Sequence, residues 1–410
     1  MGLARLANSK VVMVPHVLPS EQVLAGELKQ HRSYVEAIPL EIVRPSPDRR
    51  LPPCALSGQC GGCHLQHAVY SSQLAIKEEI VREMLVRAGL EAAKGVRPVL
   101  ASPAELHYRH KVRLHCGRDG QMGFHRAKTH ELIPVSSCPL ACHCLNDTLA
   151  RLAAIDAGAL FSEFELHCSP SDGTVSALLH LKKRGQQVDQ DRLGQIRKQG
   201  GLAGIALCRG RRIEPVGNWH VLRQDFSLAG HAYSLQWDCR SFFQVNPRQN
   251  EQLVSLVLEL AGEISGKKVL DLYCGMGNFT IPLVLAGAEA HGVEVNPHAI
   301  RAAAANGERA ACGGQARFTA TDVGKFVHSF DRAKPDLILV DPPRQGLTGI
   351  AAGVATIGAE QIIYISCDPA TLFRDLKIIV EQGYDLVVVQ PVDMFPQTAH
   401  IETVALLEKN

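Results

Sequence analysis

No stretch of this 410-residue chain stays apolar over the roughly 20 residues that a membrane-spanning helix requires. The opening MGLARLANSKVVMVPHVL is too interrupted for a secretory leader. Leu6 stands where a myristoylation motif would carry Ser or Thr. A cytoplasmic chain with no membrane segment is expected. Internal repeats and low-complexity tracts are missing, which sets aside solenoid and linker-like architectures. Net charge is also nearly absent, at +2, but it is unevenly spread. Residues 1–240 carry 30 Lys and Arg against 22 Asp and Glu, whereas residues 241–410 carry 13 against 19. A basic front half joined to an acidic back half suits an anionic polymer gripped by the former and modified by the latter.

Cysteine, by contrast, is plentiful. Thirteen thiols in a chain expected to be cytosolic point to metal or catalytic work and not to a disulfide framework. The length suits two or three domains. Residues 1–50 alternate apolar and polar and read as a small, barrel-like module of three or four strands. A proline-punctuated linker with Arg44, Arg49 and Arg50 closes it. In CALSGQCGGCHLQH, Cys54, Cys60 and Cys63 are spaced C-x5-C-x2-C, and Gly61-Gly62 lets the backbone wrap round a bound group. Such spacing signals metal ligation and leaves iron–sulfur and zinc both open. Cys138, fixed by a Pro-containing turn, is the preferred fourth ligand; Cys142 and Cys144 are its rivals.

Residues 70–90 read as an amphipathic helix with Leu74, Ile80, Val81, Met84 and Leu85 on its packing stripe, expected against the catalytic domain. Residues 107–135 read as a meander carrying Arg109, Lys111, Arg113, Arg118, Arg126 and Lys128 among Tyr108, Phe124 and five histidines. Cations with stackable rings suit unstacked RNA, and a solvated edge sheet is the plain alternative. Residues 145–235, with a Lys/Arg-rich turn at 182–187, read as the rest of an α+β scaffold.

From Ser241 the texture becomes helix, strand, Gly-rich turn, helix, strand. Residues 269–273 form a buried strand carrying Asp271, and CGMGNF at 274–279 opens a helix. Glu294 ends the next strand, where its carboxylate can meet a ribose hydroxyl pair. The form D-x-x-C-G-x-G differs from the dinucleotide fingerprint and better fits S-adenosylmethionine. DLILVDPPR and IIYISCDPATLFRDL continue the rhythm toward a doubly wound parallel sheet with an antiparallel C-terminal hairpin. Cys367 falls between a strand at 362–366 and a helix after Pro369. The helix N-terminus is expected to lower its pKa. A thiolate added to C6 of uracil makes C5 nucleophilic enough to take a methyl group, and a base must then remove the C5 proton. Cys367 is the candidate nucleophile and Glu402 the candidate base. Asp341 and Arg344 lie between them and the cofactor turn.

Taken together, CGGCHLQH, FFQVNPRQNEQL, VLDLYCGMGNFT, GVEVN, LVDPPRQGL, YISCDPATLFRDL and DMFPQTAHIETVALL give the chain a nearly end-to-end resemblance to the RNA uracil-C5 methyltransferases of iron–sulfur type. The resemblance implies an α/β chain: a TRAM-like RNA-binding module (1–50), here with its leading strand missing, a central α+β iron–sulfur domain (51–240) and a class I, Rossmann-like methyltransferase domain (241–410). It implies Cys367 as nucleophile and Glu402 as base. Gln244, Tyr273, Glu294 and Asp341 fall on cofactor-binding positions, with Asn278 and Asp322 beside them. Cys54, Cys60, Cys63 and Cys138 match the ligands of a structural [4Fe–4S] cluster. It puts 23S ribosomal RNA ahead of the transfer RNA T-loop as substrate, and a monomer is expected. Gln397 replaces the family's histidine in FPHT, a departure close to Glu402.

Four rivals remain. Adenine-N6 methyltransferases carry an acidic-Pro-Pro-aromatic motif, but Arg344 replaces the ring and adenine chemistry needs no cysteine; cytosine-C5 enzymes carry other cysteine motifs. A radical enzyme would need a different cluster motif. A catalytically silent iron–sulfur RNA-binding protein would have no use for the Cys367–Glu402 pair.

Overall fold

The computed structural model describes residues 2–6, 9–92, 94–155, 158–183, 187–228 and 230–410. Its first sheet has the order β1-β2-β4-β3, from β1 (Gly2–Arg5), β2 (Val11–Val14), β3 (Gln22–Gln30) and β4 (Tyr34–Arg44). β1 lies at one edge of this sheet. The alternation in β2 and β4 buries Val12, Val14, Val35 and Ala37 on one face. With β1 and β3 on opposite edges, the module is a four-stranded sheet among the described residues and not the expected barrel. Arg49 anchors it, bonding Glu21 at 2.6 Å and the His16 carbonyl at 2.9 Å. Burial would raise the Glu21 carboxyl, but Arg49 and two backbone N–H donors outweigh it and bring the pKa down to about 2.

Helix α1 (Tyr70–Arg87) buries Gln73, Lys77, Val81 and Leu85, one residue per turn along a single line. This corrects the expected stripe: Ile80 is 39% exposed. Polar residues enter the interface because partners meet them there. Lys77 Nζ donates to Asp393 Oδ1 at 2.6 Å and to the Phe395 carbonyl at 3.1 Å.

The central sheet has the order β11-β10-β9-β8-β5-β6-β7. Its strands are β5 (Lys111–Cys116), β6 (Met122–His125), β7 (Leu132–Pro134), β8 (Phe161–Cys168), β9 (Val175–Leu181), β10 (Gly204–Arg209) and β11 (Arg212–Pro215). Helices α2 (His143–Ala153) and α3 (Gln190–Gly200) cover one face through Leu145, Leu149, Leu193 and Ile196. The basic meander is less available than its composition suggests. Lys111 and Arg113 pair with Glu165 at 3.0 and 2.8 Å, and Arg126 pairs with Glu131 at 2.8 Å. Tyr108 is buried and donates to the Pro396 carbonyl, so it offers no stacking face. Part of the Lys/Arg-rich turn, residues 184–186, lies outside the described residues.

Two stretches ahead of residue 240 take their core from the C-terminal region. The hairpin β12 (Leu222–Leu228) and β13 (His231–Trp237) buries Leu222, Phe226, Leu235 and Trp237 against α4 (Pro247–Ala261). Val81, Leu85 and Val96 join the core on the other face. Between them lies a sheet of order β16-β15-β14-β17-β18-β20-β19. Its parallel strands are β14 (Lys268–Leu272), β15 (Glu289–Glu294), β16 (Ala316–Ala320), β17 (Leu337–Val340) and β18 (Gln361–Ser366). The crossovers carry α5 (Thr280–Leu285), α6 (Pro297–Arg309), α7 (Val323–His328) and α8 (Ala351–Ile357). Helix α9 (Pro369–Glu381) leads to β19 (Tyr384–Val392), and the chain ends with β20 (Glu402–Lys409) wedged antiparallel between β18 and β19. Leu337, Ile338, Leu339 and Val340 are all at most 1% exposed, as expected of a strand covered on both faces. Chain direction across the sheet reverses between β14 and β17, the crevice at which open α/β sheets hold ligands.

Candidate active site

Sheet register builds the site. Leu272 pairs with Val293 on one side and Val340 on the other, and Val340 pairs with Tyr364. One residue beyond these pairs, Tyr273, Glu294 and Asp341 stand side by side at the carboxyl edge. The antiparallel ladder of β18 and β20 ends at Ser366 and Thr403, so Cys367 and Glu402 are the next pair outward. In a regular ladder, opposed Cβ atoms lie about 4.5–5.5 Å apart. The wedge is what makes this pairing. An antiparallel strand begins at the edge where its parallel neighbour ends.

The electrostatics correct one expectation. The Cys367 thiol is raised to about 11, by burial and then by Glu402 and Asp341, against the lowering influence of Arg344. Asp368 caps α9 instead, its Oδ1 accepting from the N–H groups of Ala370 at 2.9 Å and Thr371 at 3.3 Å. Glu402 is 3% exposed. Burial and then Asp341 push its carboxyl well above the usual range, again opposed by Arg344. Burial raises Asp341 to about 7. His400, pushed down to about 4 by burial and then by Arg344, is neutral at pH 7. Burial thus favours the neutral forms of both Cys367 and Glu402, and Arg344 opposes it in each case.

On the cofactor side, Gln244, Tyr273, Asn278 and Asp341 line one small cavity with Gly275 and Phe242. Tyr273 has a left-handed φ of 67°, and Gly275 one of 54°. A Cβ at Gly275 would meet no atom within 4 Å, so the turn forms an open cradle. Asn278 and Asn250 hold each other in place through reciprocal amide bonds of 2.8 and 3.0 Å. Asp271 lies fully buried beneath the turn, bonded to Thr280 and raised to about 7 by burial. Glu294 accepts from the Asn296 N–H at 2.8 Å, and Asp322 caps α7 through the Lys325 N–H at 2.9 Å. Phe242, 66% exposed at the cavity mouth, was not singled out from sequence. Its signal was a doubled Phe ahead of a turn, where only one ring can be buried.

A second cavity, of about 200 Å³, is lined by Cys54, Cys60, Cys63 and Cys138 together with Gln66 and Arg109. Asn146 fixes Cys138, accepting its N–H at 2.8 Å and donating to its carbonyl at 3.1 Å. The rivals Cys142 and Cys144 do not line this cavity. Gly61 donates to the His125 carbonyl of β6 at 3.1 Å, so that glycine serves strand contact. Gln397 ties this region to the loop that precedes β20. It is fully buried, with a left-handed φ of 69°. Its side-chain carbonyl accepts from Arg50 and Gln73, each at 3.0 Å, its amide donates to Glu105 at 3.0 Å, and its main-chain carbonyl accepts from His64 at 2.9 Å.

An open α/β sheet with a glycine turn and an acidic carboxyl edge at the point where strand order reverses defines a class I methyltransferase fold. Residues 69–410 match the model of the tRNA (Uracil-5-)-methyltransferase family. The chain belongs to that family, the S-adenosylmethionine-dependent RNA uracil-C5 methyltransferases. Among its relatives, the 23S rRNA (uracil(1939)-C(5))-methyltransferase RlmD of Aeromonas salmonicida is 32% identical, over 100% of this chain and 94% of that one. An uncharacterized RNA methyltransferase of Thermosynechococcus vestitus is 32% identical, over 98% and 93% of the two chains. The crystal structure of Pyrococcus abyssi tRNA (uracil-54, C5)-methyltransferase in complex with S-adenosyl-L-homocysteine is 25% identical, with a TM-score of 0.75 over 97% of this chain and 94% of that one.

Proposed function

We propose that the chain methylates C5 of a uridine in 23S ribosomal RNA, through a covalent bond between Cys367 and C6. The observation that carries this reading is the pairing of Cys367 with Glu402 across the β18–β20 register, next to the cofactor row. S-adenosylmethionine, when bound, supplies the methyl group as an electrophilic sulfonium. Gln244, Tyr273, Asn278 and Asp341 would hold it, with Glu294 and Asp322 toward the ribose side. Cys367 loses its proton to solvent water as sulfur adds to C6, which places carbanion character at C5 while Glu402 stays ionised. Once C5 carries the methyl group, the Glu402 carboxylate takes the C5 hydrogen and the C6–S bond breaks, returning Cys367. Arg344 favours the ionised forms of both groups. Its exposed guanidinium can follow the RNA backbone into the site.

The four-cysteine cavity fits a [4Fe–4S] cluster better than zinc. Zinc–sulfur bonds of about 2.3 Å would hold thiolates only about 3.8 Å apart. Among the described residues, only His110, Cys142 and Cys168 bring three ligand atoms within 4.8 Å of one another. The cavity cysteines stand wider, and Arg109 Nε is buried beside them with no hydrogen-bond partner. Cys54, Cys60, Cys63 and Cys138 would hold the cluster as a structural group for the RNA-binding region, in a monomer working in the reducing cytoplasm. Full-length relatives favour ribosomal RNA, and the P. abyssi neighbour keeps transfer RNA as the second substrate.

Tritiated methyl transfer tests the reading, with 23S ribosomal RNA fragments and T-loop transfer RNA offered in parallel. Label in a ribosomal uridine is expected. Label in transfer RNA alone would move the substrate. Tight RNA binding with no label in either, from protein that binds cofactor, would leave a silent binder.

A further inference from the structure

Cys142, Cys144, Cys168 and His110 have no part in either cavity described above. Cys142 and Cys168 are buried and His110 is half-buried, and their ligand atoms lie within 4.8 Å of one another. Backbone bonds fix all three. The Cys168 N–H at the end of β8 donates to the His110 carbonyl at 2.8 Å, and the Cys142 N–H donates to the Arg109 carbonyl at 2.9 Å. His110 Nδ1 donates to the Tyr108 carbonyl at 3.1 Å, which leaves Nε2 as the lone-pair nitrogen. A hydrogen-bonded second nitrogen is the usual support of a metal-bound histidine. Cys142 opens α2, where the N–H groups of Cys144 and Leu145 face its sulfur. The Cys144 side chain also comes within hydrogen-bonding reach of the Cys168 sulfur. At Gly173, with φ of 70°, a Cβ would stand 2.9 Å from Cys144 Sγ, so only glycine leaves that sulfur its place.

We propose that His110, Cys142 and Cys168, with Cys144 as fourth donor, form a second metal site, for a single thiophilic divalent cation of the zinc class. Two or three thiolates and an imidazole disfavour calcium and magnesium, which take oxygen ligands. Zinc bonds of about 2.0–2.3 Å need donors about 3.3–3.8 Å apart, within the span of His110, Cys142 and Cys168. The site differs in kind from the four-cysteine cavity, whose sulfurs are wider apart. It would also brace the junction between the central sheet and the cofactor wall. The His110 N–H donates to the Val245 carbonyl at 2.8 Å, next to Gln244, and the Cys138 carbonyl accepts from the Ala141 N–H at 3.0 Å. The segment 138–144 thus connects the two sites.

The test is metal analysis of the full chain purified anaerobically without chelator, followed by cobalt substitution. One zinc per chain is expected alongside iron, and cobalt should give the intense visible bands of tetrahedral thiolate coordination. Cys168→Ala and Cys142→Ala should each lower zinc retention about 10-fold or more while keeping iron. Cys60→Ser should lose iron and keep zinc, which separates this site from the cluster even if one variant folds poorly. Fully reduced wild-type protein that takes up neither zinc nor cobalt would overturn the proposal. So would zinc that leaves with Cys60→Ser and survives Cys168→Ala, or a Cys142–Cys168 disulfide recovered from the anaerobic protein.

Discussion

Burial and neighbouring carboxylates hold Cys367 and Glu402 above their ordinary pKa ranges, and this sets how the site responds to pH. A thiol raised to about 11 should react with iodoacetamide at a rate that climbs about tenfold per pH unit from pH 8 until it levels near that value. Nearby negative charge disfavours the thiolate, so Glu402→Gln should shift the profile to lower pH. A wild-type rate already level at pH 8 would contradict this. The same variant should keep sulfur addition and lose elimination. With ordinary uridine-containing RNA it should accumulate a covalent protein–RNA band while turnover falls about 10²–10⁴-fold, the usual range for removing a general base. A band no stronger than wild type's would contradict the role. The position of Cys367 could be read from sequence because it is local: a β-branched run, Asp-Pro, then helix formers. Its pKa could not, since Glu402 and Asp341 arrive from other strands and Asp368 takes the helix N-terminus.

Among the elements, α1 carries the clearest energetic device. Lys77 and Asp393 have fully buried side chains paired at 2.6 Å. Removing one partner leaves a buried charge alone, so Lys77→Ala should cost about 3–5 kcal/mol in urea unfolding. Lys77→Met combined with Asp393→Leu should cost much less than the sum of the single changes; strict additivity would show that the two groups do not interact. Gln397 is the counterpart in the loop before β20. Its side chain satisfies Arg50, Gln73 and Glu105, and Gln397→Ala should cost about 1–3 kcal/mol by leaving such groups unpaired. The helix itself was evident from periodicity. Its true buried line was not, because Lys77 reads as a solvent residue until a partner 316 positions away is brought to it. The insertion of β20 between β18 and β19 was equally hidden. Apolar alternation shows that a strand exists but not which neighbours it takes.

For the whole molecule, the basic front and acidic back correspond to separate sheets joined by α1, the hairpin and Gln397. The interleaving of segments could not be read from composition, because the hairpin and α1 precede the catalytic strands in the chain yet take their core from them. Cys54, Cys60 and Cys63 meet the distant Cys138 at one cavity, so Cys60→Ser should yield a chain without iron or visible colour that melts below wild type. Full iron content in that variant would remove Cys60 from the ligand set. The central claim, that Cys367 bonds C6 of a uracil ring so that C5 can be methylated, is tested most directly by trapping. Full-length protein is incubated with 5-fluorouridine-substituted 23S ribosomal RNA and S-adenosylmethionine, beside Cys367→Ala, and resolved on a denaturing gel. Fluorine at C5 cannot leave as a proton, so the wild-type protein should stay bound to RNA as a band of higher mass that the variant lacks. A cofactor-competent wild-type protein that methylates RNA without forming this band, or a Cys367→Ala variant that still forms it, would contradict the account.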